Sequence, residues 1–210
     1  MSVLKYIGLS VLLGGIWTQS WGEDTADLAA ELHAITTNPA LKLESVKRGQ
    51  DRALLCGYCH GKDGNSVKEY IPNLAEQNPE YLINQFQLFA SGERKSYVME
   101  QISKGLTSSE MIDVALFYST NKVTSQPNVQ SSEKGMERYQ SFCFACHGED
   151  GKGNKDLPRL AGQKKAFLLK ALKDFKHGKA ARASSPMVRI MKAIQVSDIE
   201  PLADYIASMP

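Results

Sequence analysis

One pentapeptide pattern occurs twice in this chain, as Cys56-Gly57-Tyr58-Cys59-His60 and as Cys143-Phe144-Ala145-Cys146-His147. Together the two copies use all four cysteines of the 210 residues. On a helical turn, side chains three and four apart share a face. Two thiols so spaced reach the two vinyl groups of one porphyrin, and the histidine that follows reaches its iron. C-x-x-C-H is accordingly the attachment signal for c-type haem. The pattern predicts two covalently bound haem c groups, on Cys56, Cys59 and His60 and on Cys143, Cys146 and His147.

Other uses of paired cysteines explain less. A single zinc site wants its pairs about 15–20 residues apart, and these lie much further apart. A thioredoxin-like pair needs a βαβ context, which the sequence lacks. Structural disulfides do not need a histidine directly after each pair.

Apolar residues recur at helical spacing with few long β-branched runs, so the expected fold class is all-α. An apolar fraction of 42% is enough for real cores, and the length suits one or two domains. Charge is uneven along the chain. Residues 46–122 carry nine basic and nine acidic side chains, whereas residues 131–210 carry fourteen and nine, a net of +5. The excess includes Lys164, Lys165, Lys170, Lys173, Lys176 and Lys179. Each lysine alone reads as part of a solvated helix face. As a set they give the second half the means to steer an acidic partner. No aromatic-basic platform accompanies them, so nucleic acid is not an expected partner.

Residues 1–22 read as a secretory signal. Lys5 supplies the positive start, Ile7 to Trp17 the apolar stretch, and Ser20 and Gly22 the small residues at a cleavage point. The apolar run is short for a membrane span of about 20 residues, though retention of the segment would hold the protein at the membrane. The expected compartment is the periplasm, where bacterial c-type haem is attached. Residues 23–45 form an extension in which Asp24, Asp27 and Glu31 alternate with Leu28, Leu32 and Ile35, an amphipathic helix that Asn38-Pro39 should end. His33 within it reads as a surface or packing residue.

Beyond the extension the chain repeats itself. Gly49 precedes the first cysteine pair on a helix expected over Val46–Leu55, as Gly135 precedes the second on Ser132–Phe142. Pro72-Asn73-Leu74 matches Pro158-Arg159-Leu160, and Tyr81-Leu82 matches Phe167-Leu168 on a middle helix. Gly92 and Gly178 read as the stops of those helices. Arg94 stands five residues before Met99, and Arg182 five before Met187. Thr107-x-x-Glu110 and Ser197-x-x-Glu200 both read as capping boxes opening a last helix. The expected organisation is a module over 46–122, a linker over 123–130 and a second module over 131–210.

Each half resembles a class I cytochrome c domain, and the tandem resembles the dihaem cytochrome c4 family. The matching motifs are CxxCHG, Pro-x-Leu-Ala-x-Gln (Pro72 to Gln77 and Pro158 to Gln163), the Gly/Arg…Met stretch and the capped last helix. The resemblance implies His/Met ligation of each iron. It also implies that the carbonyls of Pro72 and Pro158 accept hydrogen bonds from His60 and His147 and fix their rings. A thioether is a neutral, soft ligand that raises a haem potential when paired with histidine. Met99 is the first candidate and Met187 the second. Eight residues separate Met99 from Thr107 but ten separate Met187 from Ser197, so Met191 stands as the alternative. Met111, Met136 and Met209 read as core filler. His177, beside a helix end, reads as a surface residue.

With a protein ligand on both faces of each iron, the expected function is outer-sphere electron transfer without a catalytic residue. The resemblance implies redox protein partners, in particular membrane respiratory complexes such as a terminal oxidase. The stretch from Met99 to Thr107 also resembles the dihaem subunit of a flavocytochrome c sulfide dehydrogenase, which implies a flavoprotein partner. A haem peroxidase would need one iron with an open distal side, for which the Met187/Met191 alternative is the one opening.

Overall fold

Asn38 stops one helix and starts the next. In the computed structural model, which describes residues 21–124, 126, 129–179 and 184–210 with side chains from Asp27 onward, α1 spans Trp21–Thr37 and α2 spans Pro39–Arg52. The Asn38 side chain accepts from the amides of Ala40 and Leu41, and Pro39 occupies the first helical position, where its missing N–H costs nothing. Residues 1–20, most of the expected signal, lie outside the described residues, as do Arg182 and part of the linker. Leu28 and Leu32 on α1 are buried in the core that serves the first half. The extension therefore packs on that half, and position 46 falls inside α2, which begins seven residues before the expected Val46.

The other helices are α3 (Leu54–His60), α4 (Pro79–Ala90), α5 (Tyr97–Lys104), α6 (Ser108–Thr120), α7 (Glu133–Phe142), α8 (Phe144–His147), α9 (Lys165–Lys176), α10 (Pro186–Ala193) and α11 (Val196–Ser208). No strand occurs among the described residues. Two separate cores form. One gathers Leu82, Ile83, Phe86, Ile112, Leu116 and Tyr118 from α4 and α6. The other gathers Leu168, Leu172, Phe175, Leu202 and Ile206 from α9 and α11. Gly92 and Gly178 follow the ends of α4 and α9 with φ of 75° and 66°, the left-handed stop expected of them. Met111 and Met209 are buried as expected, but Met136, on the outer side of α7, is 38% exposed and fills no core.

In each half the first core helix crosses the last at a glycine. A Cβ on Gly49 would stand 1.9 Å from the Asp113 carbonyl oxygen of α6, and one on Gly135 2.0 Å from that of Pro201 on α11. Ion pairs clamp the same crossings. Buried Asp113 accepts two hydrogen bonds from Arg48, 2.7 and 2.8 Å, and one from Ser45. Asp198 takes Lys134 at 2.6 Å and Arg138 at 2.9 Å.

The start of α11 corrects the expected cap. α6 opens with the capping box of Thr107 and Glu110, but α11 begins at Val196 with Gln195 as its cap residue, so Ser197 lies inside the first turn. The earlier start brings Asp198 to the third helical position, where it meets Lys134 and Arg138 as Glu110 meets Arg52. Tertiary packing outweighs the local Ser-x-x-Glu signal, and the ion pairs follow from it.

These carboxylates make the fold acid-sensitive. The Lys134 hydrogen bond, joined by Arg138, holds Asp198 below the ordinary carboxylate range, and the Thr107 amide and Arg52 do the same for Glu110. A folded pKa below the unfolded one gives stability that is present above about pH 4 and lost as pH falls through the folded value. Thermal midpoints should thus hold from neutrality to about pH 5 and fall steeply below about pH 4. Asp198→Asn should melt lower at pH 7 and show a shallower acid decline; an unchanged acid slope would remove Asp198 from the account.

Candidate functional site

Both cysteine-pair motifs are helical. Cys56, Cys59 and His60 lie on α3, and Cys146 and His147 on α8 with Cys143 at its N-terminal boundary. Each helix stops at a glycine with positive φ, Gly61 at 84° and Gly148 at 81°, which turns the chain into the loop below the histidine. None of the four cysteines is joined in a disulfide. Burial raises the Cys56 thiol and pushes Cys143 up to about 12. Redox-active pairs instead depress a thiol to make a thiolate, so the thioredoxin-like reading loses its chemistry. Nor are the pairs joined: among the described residues no three His, Cys, Asp or Glu side chains form a group able to hold a metal ion.

The histidines are held alike. His60 Nδ1–H donates to the Pro72 carbonyl at 2.9 Å, and His147 Nδ1–H to the Pro158 carbonyl at 3.1 Å. A carbonyl can only accept, so the proton sits on Nδ1 and Nε2 is left with its lone pair outward, as an iron ligand requires. Burial lowers both imidazoles, against the effect of the carbonyls; at His60 the Arg94 charge adds to it. Neutral rings are the ligating form. Arg94 itself lies 4.5 Å over the Phe89 ring and donates to Gln85 at 2.6 Å.

The loops carrying the prolines are built alike. Gly64 O takes the amides of Leu74 and Ala75 as Gly151 O takes those of Leu160 and Ala161. Glu76 N–H donates to Tyr118 O near the end of α6, and Gly162 N–H to Ile206 O near the end of α11, each at 3.1 Å. Gly162 has φ 69°, and Glu76 is the one non-glycine residue with positive φ, 53°, among the described residues. Its carboxylate accepts from Val123 N and Lys122 Nζ, contacts that hold it there.

The methionines separate by place. Met99 on α5 and Met187 on α10 are half-buried at the edges of their cores, each in the first turn of a helix capped by a serine, Ser96 or Ser185. Met99 stands eight residues before the cap Thr107, and with the cap of α11 at Gln195, Met187 also stands eight residues before its own. The ten-residue interval that opened the alternative came from placing that cap at Ser197. Met191 is 1% exposed inside the second core. His33 is exposed, and so is His177, whose Nδ1–H donates to Lys173 O.

Thiols on one helical face, an imidazole with its second nitrogen tied down and a thioether at a core edge make a donor set that fits covalent haem c. Buried Arg159 also fits: its Nε has no partner among the described residues, a spare donor suited to a group bearing carboxylates.

The basic surface is less free than its sequence implies. Lys164 lies 3.8 Å from Glu69, Lys165 pairs with Asp204 and Glu200, and Lys170 pairs with Asp174. Lys173, Lys176 and Lys179 carry the charge that remains on and just after α9. No helix among the described residues is long and apolar enough to cross a membrane.

Residues 132–210 match the family model described as Cytochrome c. A curated relative, cytochrome c4 of Stutzerimonas stutzeri, is 31% identical over 186 residues, 78% of this chain and 89% of that protein. The crystal structure of reduced recombinant cytochrome c4 from Pseudomonas stutzeri superposes with a TM-score of 0.69 at 28% identity, over 79% of this chain and 98% of that one. The cytochrome subunit of sulfide dehydrogenase from Chlorobaculum tepidum is 38% identical over 80 residues, 38% of this chain and 72% of that subunit.

Proposed function

Given that this chain belongs to the cytochrome c4 family, as a dihaem electron carrier of two class I cytochrome c domains, we propose how its own residues divide the work. Cys56 and Cys59 bind one haem and Cys143 and Cys146 the other; His60 with Met99, and His147 with Met187, ligate the irons. When bound, each haem iron supplies one-electron chemistry, alternating between ferric and ferrous. The thioethers from the cysteines prevent cofactor loss. Pro72 and Pro158 fix the rings of His60 and His147, and cores packed behind Met99 and Met187 hold the sulfurs in place. With His60 and Met99 on one iron and His147 and Met187 on the other, no position would be left for a substrate, and the chain would pass electrons rather than transform a molecule. The observation that carries this reading is the duplication itself: two helices with the same cysteine pair, two Nδ1–carbonyl bonds, and two methionines eight residues before a helix cap.

The modules are residues 46–122 and 131–210, with residues 23–45 adding most of α1 and the first half of α2 to the first, and 123–130 joining them. Its place is the periplasm, reached through the signal of residues 1–22. Its partners are redox proteins, finer candidates being membrane respiratory complexes such as a terminal oxidase, which the lysines on and just after α9 would meet through acidic groups. The match to the sulfide dehydrogenase subunit supports a second reading, an electron-accepting subunit bound to a flavoprotein.

Purification of the native protein from its periplasmic and membrane fractions tests both. A flavin-free peak holding this chain alone, with two haems per polypeptide and two one-electron steps on titration, is the expected result. A flavoprotein in equal amount would establish the second reading. Fewer than two haems would overturn the assignment of the cysteines.

A further inference from the structure

Where the two halves meet, each reaches into the other at the backbone of one residue. Gln163 of the second half accepts the Asn73 amide proton on Oε1 at 2.7 Å and donates from Nε2 to the Asn73 carbonyl at 3.0 Å. Gln77 of the first half does the same to Arg159, accepting its amide proton at 2.7 Å and donating to its carbonyl at 3.0 Å. All four residues are at least 93% buried, so water does not compete for these bonds.

The amide of Asn73 belongs to the same peptide unit as the carbonyl of Pro72, and that carbonyl is the acceptor of the His60 ring proton. The amide of Arg159 likewise shares its peptide unit with the Pro158 carbonyl that holds His147. A peptide that donates at its nitrogen becomes a better acceptor at its oxygen, because the bonds polarise one another. A better acceptor draws the ring proton and makes the imidazole more electron-donating.

We propose that Gln163 tunes the haem on Cys56 and Cys59, and Gln77 the haem on Cys143 and Cys146, so that each half sets part of the other's redox potential. Both glutamines are positioning residues: they touch neither haem and act through a peptide and a histidine. The direction follows. An acceptor at the Asn73 amide strengthens the His60 bond, favours the ferric iron and lowers the first potential. Removing that acceptor raises it. The effect crosses the molecule, which distinguishes it from a local loss of packing.

The inference rests on the histidine ligation proposed above, so holoprotein is first checked for two haems and for Met-to-iron absorption; failure there would count against that ligation and not against the glutamines. The two potentials of full-length holoprotein are then measured by spectroelectrochemical titration, with each haem assigned from its hyperfine-shifted methyl resonances. Gln163→Met keeps length but offers no amide. It should raise the potential of the haem on Cys56 and Cys59 more than that of its own module, with a matching shift of the His60 ring resonances. Gln77→Met should do the reverse. Gln163→Glu, which keeps a stronger acceptor, should lower the first potential more than the second and decides the matter if the methionine variant does not fold. Equal movement of both potentials, a larger shift at the variant's own haem, or no shift would each overturn the proposal.

Discussion

Gly135→Ala is expected to lower the thermal midpoint of the second module by about 12–24 °C, as followed by far-UV circular dichroism and by the absorption of its haem. The added methyl would lie 2.0 Å from the Pro201 carbonyl oxygen and 2.8 Å from Tyr205 Cβ, where ordinary contact needs about 3.5 Å. Overpacking a core commonly costs about 1–3 kcal/mol when a side chain can turn aside. Here the obstacle is main chain, so α7 and α11 must part along their crossing, and about 3 kcal/mol is a lower figure. A domain of this size loses roughly 4–8 °C per kcal/mol. Gly178→Ala is the comparison: its φ is also positive, but nothing stands within 4 Å of the new methyl, so backbone strain alone should cost about 1 kcal/mol. If the two alanine variants melted together, the close crossing would not be what selects glycine at position 135.

The second large effect belongs to Met187. Met187→Ala should abolish the Met-to-iron absorption of the second haem and leave that of the first, halving the band of the whole protein. The second potential should fall, because the neutral thioether that favours ferrous iron is gone. Met191→Leu should keep both bands and both potentials; as a volume-conserving change in a core it should cost under about 1.5 kcal/mol. Retention of the full band in Met187→Ala, with its loss in Met191→Leu, would exchange the two residues' roles. The matched eight-residue intervals before Thr107 and Gln195 argue against that exchange.

The two cysteine motifs stand out in the sequence because covalent haem attachment calls for that spacing, and two copies of a motif that uses every cysteine are hard to reach by chance. The prolines were legible through the repeat of which they are part. The cap of the last helix was misread because Ser197-x-x-Glu200 satisfies a local rule. The apolar pairing of Phe117 with Tyr205 and Tyr118 with Ile206 already placed Thr107 opposite Gln195, and burial decides a helix's register more strongly than one capping bond. Met136 was misplaced for a similar reason, since one methionine on an amphipathic helix does not reveal which face it takes. Leu28 and Leu32 had no counterpart in the second half to align with, so their burial against the first core showed only in the fold. Gln77 and Gln163 could be seen as the last letters of a repeated motif. Their partners are main-chain groups 82 and 90 residues away, and a peptide leaves no side-chain signature to search for.

The contact made by those two glutamines is isologous, the kind a two-fold homodimer makes, with equivalent residues exchanging equivalent bonds. In a true homodimer every substitution appears on both sides of the axis. A single polypeptide is released from that rule, and this one departs from it where the loops meet. Asn73 in the first half is answered by Arg159 in the second, and Gly162 by Glu76; the two charged members face each other at 3.8 Å. A lone ion pair of this sort cannot exist on a symmetric interface. It gives the two halves different electrostatic surroundings while the exchanged glutamine bonds stay the same, so one scaffold, doubled, presents two unlike faces to itself.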